Sequence, residues 1–348
     1  MIYTGTYFNT SPEVSPPSFI YGLNESTLDI EQTIELTDQI AVADLKIDRS
    51  TNMLYAITRA WSAWHTEVVS KLYKIDLSTH TISTSIATGT YPINRGLAID
   101  TTNGVGYFMN YANPCIISKF SLNDLSIIAT KTTAVNTSSG GMLGINLSTQ
   151  SLFFARNNAT LYKLDLSDFT TITSVGLAQT PACLESKDGF IYVGTTGGIP
   201  PRVYKIDAAT LAISGYLEVG EFYNWTMSID STNDKLYVAS SYGSGKLITI
   251  DLSSFTTTST TSFDDYGIAD FTYPFLSCSM TPINNYLYWG IGSASDITKS
   301  YIVKLDLNKN MIDYEFLPIL CSAATIDWVT ASLPISSIYH KWHEPVVL

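Results

Sequence analysis

Leu72-Tyr73-Lys74-Ile75-Asp76-Leu77 returns as Leu161-Tyr162-Lys163-Leu164-Asp165-Leu166. It returns again as Val203-Tyr204-Lys205-Ile206-Asp207, Leu247-Ile248-Thr249-Ile250-Asp251-Leu252 and Ile302-Val303-Lys304-Leu305-Asp306-Leu307. Weaker copies stand at Ile20-Tyr21-Gly22-Leu23-Asn24 and Ile117-Ser118-Lys119-Phe120-Ser121-Leu122. Between these copies runs a second motif, a short apolar stretch centred on an aromatic. Its centres are Tyr3, Tyr55, Tyr107, Phe153, Tyr192, Tyr237 and Tyr288, spaced 39 to 52 residues apart. Repeats of that period mean an array of small supersecondary units.

The unit reads as four strands. Strand a is of the type Gly96-Leu97-Ala98-Ile99-Asp100, and an Asn/Asp/Gly turn leads to strand b around the aromatic. A variable loop leads to strand c, the Tyr-Lys-Ile-Asp motif. A polar turn such as Ser78-Thr79-His80 leads to strand d, such as Thr81–Ile86, where alternation has period two. No stretch has a helical period. Radial repetition of four-stranded units makes a β-propeller. The expected fold is therefore all-β, a seven-bladed β-propeller of four-stranded antiparallel blades. The chain starts on a b strand, and a spare a-like strand, Ser322-Ala323-Ala324-Thr325-Ile326-Asp327, follows the last d strand. That C-terminal strand is expected to complete the N-terminal blade and close the ring. Residues 1–332 form one domain in this reading, and 333–348 a tail packed on the propeller or contacting a partner.

Composition narrows the function. The chain has 348 residues, 45% hydrophobic and only 14% charged, with net charge −12. That balance disfavours a nucleic-acid partner, because phosphate contacts need clustered Lys and Arg. No apolar run has the length of a transmembrane helix. The N-terminus has no basic and apolar signal-peptide pattern. The Ser/Thr/Tyr-rich, low-Lys composition favours an extracellular or particle-borne protein, and sequons at Asn9, Asn24, Asn136, Asn146, Asn158 and Asn224 are weak support. Cys115, Cys183, Cys278 and Cys321 lack zinc or redox spacing and read as small apolar residues. A Cys278–Cys321 disulfide stays open.

The stretches Ile93–Asp100 through Gly106-Tyr107-Phe108, and Ser228-Ile229-Asp230 through Leu236-Tyr237-Val238-Ala239, resemble the YVTN and NHL class of seven-bladed propellers. The resemblance covers nearly the whole chain at fold level. It implies a fold that hosts lectins, adhesins, lactonases, lyases and scaffolds alike.

Residues repeated in every blade are architectural, and residues unique to one blade are candidates for function. By this test the Lys-x-Asp pairs of strand c are structural, expected as ladder charges on a solvated face. The a–b and c–d turns share one rim and are monotonous. The b–c and d–a loops share the other and are diverse, which is where binding resides on rigid scaffolds. The candidate ligand-binding residues lie there: Trp61, Trp64, His65, Tyr91, Arg95, Tyr111, Arg156, Arg202, Tyr223 and Trp225. Rings with scattered polar partners suit a glycan or a protein ligand. No catalytic set is legible: Gly243-Ser244-Gly245-Lys246 lacks the Walker spacing. No cofactor motif is present. Asp264, Asp265, Asp270 and Glu221 could line a central calcium site but lack a known ligand spacing, as do His340 and His343 in the tail. The reading is a non-enzymatic binding or adhesion propeller. Its alternatives are a metal-dependent lactonase- or lyase-type enzyme and a structural component of a virion or extracellular assembly. Self-association is left open.

Overall fold

The computed structural model describes residues 1–6, 17–37, 39, 41–59, 69–89, 96–110, 114–133, 142–156, 158–196, 200–219, 224–240, 246–262, 275–293, 300–308, 311–317 and 327–328. They form 28 strands in seven four-stranded antiparallel sheets, with no helix among the described residues. Blade 1 contains β1 (Ile2–Gly5), β2 (Ser18–Leu23) and β3 (Ile30–Leu36). Blade 2 is β4 (Ala41–Asp48), β5 (Met53–Arg59), β6 (Ser70–Asp76) and β7 (Thr81–Gly89). Blade 3 is β8 (Leu97–Asp100), β9 (Val105–Asn110), β10 (Ile116–Ser121) and β11 (Ile127–Thr132). Blade 4 is β12 (Met142–Asn146), β13 (Ser151–Arg156), β14 (Thr160–Asp165) and β15 (Ile172–Gly176). Blade 5 is β16 (Thr180–Lys187), β17 (Phe190–Thr196), β18 (Arg202–Asp207) and β19 (Ile213–Glu218). Blade 6 is β20 (Asn224–Asp230), β21 (Lys235–Ser240), β22 (Lys246–Asp251) and β23 (Thr256–Ser262). Blade 7 is β24 (Phe275–Ile283), β25 (Tyr286–Ser293), β26 (Ser300–Asp306) and β27 (Met311–Leu317). The last strand, β28 (Asp327–Trp328), pairs with β1 and completes blade 1.

Inside the blades, successive residues of strand b face opposite neighbours. Leu54 and Ala56 pack toward blade 1, whereas Tyr55 and Ile57 pack toward blade 3. Both faces of the strand are covered, so strand b reads as a continuous apolar run rather than an alternating one. Seven such clusters join each blade to the next, and the seventh joins Ile283, Tyr288 and Ile302 of blade 7 to Ile2, Tyr21, Leu23 and Leu28 of blade 1. The ring is closed by apolar burial as well as by β28. The outermost strands β7, β11, β19 and β23 are largely exposed, which accounts for their Thr and Ser.

The closing strand is the expected one: β28 pairs antiparallel with β1, with Trp328 opposite Ile2 and Asp327 opposite Tyr3. Of the a-like stretch Ser322–Asp327, residues 322–326 lie outside the described residues.

The turn rim follows a repeated design. The Asp ending strand c accepts amide hydrogen bonds from the turn: Asp76 from Ser78 at 2.7 Å, Asp165 from Ser167 at 2.8 Å and Asp207 from Thr210 at 2.8 Å. Asp100 and Asp230 do the same after strand a. The Ser167 hydroxyl and then its amide hold Asp165 below the usual carboxylate range, and the Thr210 amide and hydroxyl do the same for Asp207, because each bond stabilises the ionised form. Asn146, one of the sequons, is 4% exposed and caps its own turn through Oδ1. The turns end on residues in the left-handed region, including Leu28, Leu125 and Leu211. Leucine is disfavoured there, and burial of each side chain between two blades offsets that cost.

The lysines of strand c differ from the expectation of a solvated charge ladder. Lys74 Nζ donates to Asn123 O at 2.7 Å, Lys163 Nζ to Ala209 O at 2.7 Å and Lys304 Nζ to Glu25 O at 2.9 Å. Each reaches the c–d turn of the next blade. Those turn carbonyls have no strand partner, and a long cationic donor reaches them across the interblade groove. The strand-b tyrosines act in parallel: Tyr55 donates to Leu122 O at 2.8 Å and Tyr288 to Glu25 O at 2.9 Å.

Candidate functional site: the loop rim and the axial channel

The bases of the loops on the opposite rim are clamped by threonines that end strand b. Thr195 Oγ1 accepts from the Arg202 amide at 2.9 Å and donates to Gln179 Oε1 at 2.5 Å, while Gln179 Nε2 donates to Pro200 O at 2.9 Å. Thr58 and Gln39 repeat this arrangement in blade 2, where Thr58 accepts from the Lys71 amide at 2.9 Å. The clamp joins a b–c loop to a d–a loop and fixes where both leave the scaffold. Thr195→Ala is expected to cost about 1 kcal/mol and to speed hydrogen exchange at the Arg202 amide, leaving the turn rim unchanged.

Of the ten candidate binding residues, Trp61, Trp64, His65, Tyr91, Arg95, Tyr111 and Tyr223 lie outside the described residues. So do Glu221, Asp264, Asp265, Asp270, Cys321 and the tail histidines. Arg156 ends β13, and Trp225 occupies a bulge in β20 between Asn224 and Thr226; their side chains are outside the described part. Arg202 starts β18. Its guanidinium donates to Glu218 Oε1 at 3.1 Å and stacks 4.2 Å from the centre of the Tyr216 ring, so it lies along the outer strand of its own blade. The strand ends carrying Arg156, Arg202 and Trp225 all point to the loop rim. Cys115 and Cys183 are buried and outside any disulfide, as their spacing suggested.

A second set of blade-specific residues lies on the innermost strands. These strands, β4, β8, β12, β16, β20 and β24, touch in succession around the axis, and β28 touches β4. On each, one residue sits opposite the strand-b aromatic. Those positions are Lys46, Ala98, Gly144, Glu185, Ser228, Thr281 and Asp327. Four are small and three are ionisable. Lys46 Nζ lies 3.5 Å from Asp44 Oδ1. Asp44, 6% exposed, also accepts from the Leu45 amide at 2.9 Å and, across the blade boundary, from the Leu97 amide at 3.1 Å.

Glu185 answers to Asp44 and Lys46 from the other side. Desolvation pushes its carboxyl up to about 7, Lys46 pulls it down and Asp44 raises it further. Blades 2 and 5 are not neighbours in the ring, so these charges meet across the central channel. Glu185 keeps some accessible surface, and desolvation by the surrounding strands is the largest influence on its carboxyl. Its carboxylate accepts no hydrogen bond from the described residues. Sequence reading missed this group because it sought blade-specific residues on the loops alone. The same comparison along strand a exposes it: blades 3, 4, 6 and 7 carry Ala98, Gly144, Ser228 and Thr281 opposite the aromatic, whereas blades 1, 2 and 5 carry Asp327, Lys46 and Glu185.

Among the described residues no group of three His, Cys, Asp or Glu side chains is placed to hold a metal ion, and no helix is long and apolar enough to cross a membrane. The chain matches no protein-family model and no curated protein.

Proposed function

We propose that this chain is a non-enzymatic binding propeller of YVTN/NHL type whose b–c/d–a loop rim recognises a glycan or a protein. The observation that carries the reading is the contrast between the two rims. On the turn rim the blades use the same carboxylate caps and the same lysine and tyrosine ties. On the loop rim the connections vary in length and content, and at blades 2 and 5 they rise from a clamped base. Rigid strand ends under variable, aromatic-rich loops are the arrangement of a recognition surface.

A glycan array and a partner pull-down supply the ligand. Trp64→Ala and Trp225→Ala are then expected to weaken binding by about tenfold or more, as loss of a buried aromatic anchor does, without loss of folding. Unchanged affinity in both folded variants would reject the assigned surface. A second reading, an enzyme of lactonase or lyase type, draws on Glu185: a carboxyl that titrates near neutrality inside a channel suits proton transfer. Turnover of a lactone panel that disappears in Glu185→Gln would support that reading over the first.

A further inference from the structure

We propose that β15, the outer strand of blade 4, is a docking edge for a second copy of this chain, the two strands pairing antiparallel across a two-fold axis. Among the described residues, the outer strands of the other six blades each carry a β-bulge against strand c. The extra residue is Glu31 in blade 1, Ser83 in blade 2, Ile128 in blade 3, Ser214 in blade 5, Thr258 in blade 6 and Ile312 in blade 7. β15 pairs with β14 without a shift, from Thr160 opposite Gly176 to Leu164 opposite Ile172. The cause lies in the c–d turn. In blades 1, 3 and 5 the residue at the end of strand c donates its amide to the carbonyl five residues on: Asn24 to Asp29, Ser121 to Ser126 and Asp207 to Ala212. In blade 4 Asp165 donates to Thr171, six residues on, and Asp168 caps the longer turn through the amides of Thr170 and Thr171. The turn absorbs the residue that elsewhere bulges the strand.

A bulge twists an edge away from further pairing, and charge on an edge opposes pairing as well. β15, Ile172-Thr173-Ser174-Val175-Gly176, has neither, and Thr173, Ser174 and Gly176 are exposed. The strands β3, β11, β19 and β27 carry charged residues, and the uncharged β7 and β23 are bulged. Thr171 O accepts from Asp165 and the Leu177 amide donates to Ala159 O, so Thr173 and Val175 between them also turn their backbone groups to strand c. Ile172, Ser174 and Gly176 therefore present N–H and C=O outward. That row is self-complementary. With Ser174 on the two-fold axis, Ser174 meets its own copy and Ile172 meets Gly176 of the second copy. A Cβ at Gly176 would meet nothing within 4 Å, so the Ile172 side chain of the second copy has room there. Antiparallel pairing also sets the acidic turns, with Asp165 and Asp168, at opposite ends of the joint sheet, whereas parallel pairing would align them. The edge uses none of the loop-rim residues, so it does not depend on the recognition function proposed above.

A five-residue edge buries much less than a standard interface, so the dimer is expected to be weak and reversible. The test is sedimentation velocity of the full chain across a concentration series reaching several hundred micromolar, with residue-resolved hydrogen exchange at both ends of the series. A monomer–dimer equilibrium is expected, with slower exchange in the dimer at the amides of Ile172, Ser174 and Gly176. Ser174→Pro removes an outward N–H that strand c does not use, so the blade should still fold while dimerisation weakens about tenfold or more. Ser174→Lys is the second variant. It sets like charges opposite each other at the axis and should also weaken the dimer, although it lowers the net negative charge of each copy. A chain that stays monomeric throughout, a dimer unaffected by both variants, unchanged exchange at the three amides, or their protection only by an extended peptide of another sequence would each overturn the assignment.

Discussion

Glu185→Gln is expected to make the protein more stable at pH 8 and to leave it nearly unchanged at pH 4.5. The carboxyl titrates near 4.5 in the unfolded chain and near 7 in the channel. Between those values the native state keeps a proton that the unfolded state has released. Stability therefore falls as pH rises through that window, and the whole penalty stands above it. Each pH unit of separation is worth about 1.4 kcal/mol, which sets an upper bound of about 3 kcal/mol on the gain. Residual water in the channel brings the expected figure to about 1–3 kcal/mol, or several degrees in Tm. Glutamine has nearly the same shape and carries no charge, so packing against Tyr192 and the neighbouring strands is kept. The comparison between variant and wild type also cancels the other titrating groups. The turn aspartates, with lowered values, and His80, lowered by burial, stabilise at higher pH and lose that contribution as pH falls. Urea melts at the two pH values decide it. A variant that is less stable at pH 8, or equally shifted at both, would show that Glu185 is not an uncompensated channel carboxylate.

Glu185 breaks the run of small residues that most blades place opposite the strand-b aromatic. The reasoning from sequence reached the blades but not this residue, for a physical reason. Blade number, strand order and ring closure are written in the core: the aromatic of strand b must fill an interblade groove, and the Asp of strand c must cap a turn. Such requirements recur seven times and are visible as repeats. Position 185 obeys a different rule. Opposite the aromatic, Ala98 is buried in the core between blades 3 and 4 and a Cβ at Gly144 would meet Leu184, so packing there asks only for something small, and Ala98, Gly144 and Ser228 carry no pattern that singles out an exception. The channel is also a long-range object, built from strands nearly a whole ring apart in sequence. Only the closed ring brings Lys46 and Glu185 into one field.

The lysines of strand c were read as structural, and their structural role predicts a graded set of effects. Lys304→Met is expected to destabilise by about 3 kcal/mol, whereas Lys74→Met should cost about 0.5–1 kcal/mol. Both amines reach the c–d turn of the next blade, but their surroundings differ. The Lys74 contact to Asn123 O is exposed. Lys304 is 6% exposed, donates to both Glu25 O at 2.9 Å and Ser26 O at 3.2 Å, and lies 4.5 Å from the centre of the Tyr286 ring. Methionine keeps the apolar stem but leaves the Ser26 carbonyl unpaired, and Glu25 O then relies on Tyr288 alone. The location adds to the cost. The boundary between blades 7 and 1 joins the first described blade to the last, and there the chain contributes to blade 1 the two-residue strand β28. Loosening it frees both ends of the ring at once. Hydrogen exchange should therefore quicken across β1, β2 and β3 in Lys304→Met and stay close to wild type in blades 3 to 5. If Lys304→Met and Lys74→Met lose the same stability, or if the faster exchange spreads evenly around the ring, the seam is no weaker than the other boundaries. Retention of Tyr288 in both variants makes the difference attributable to the amine.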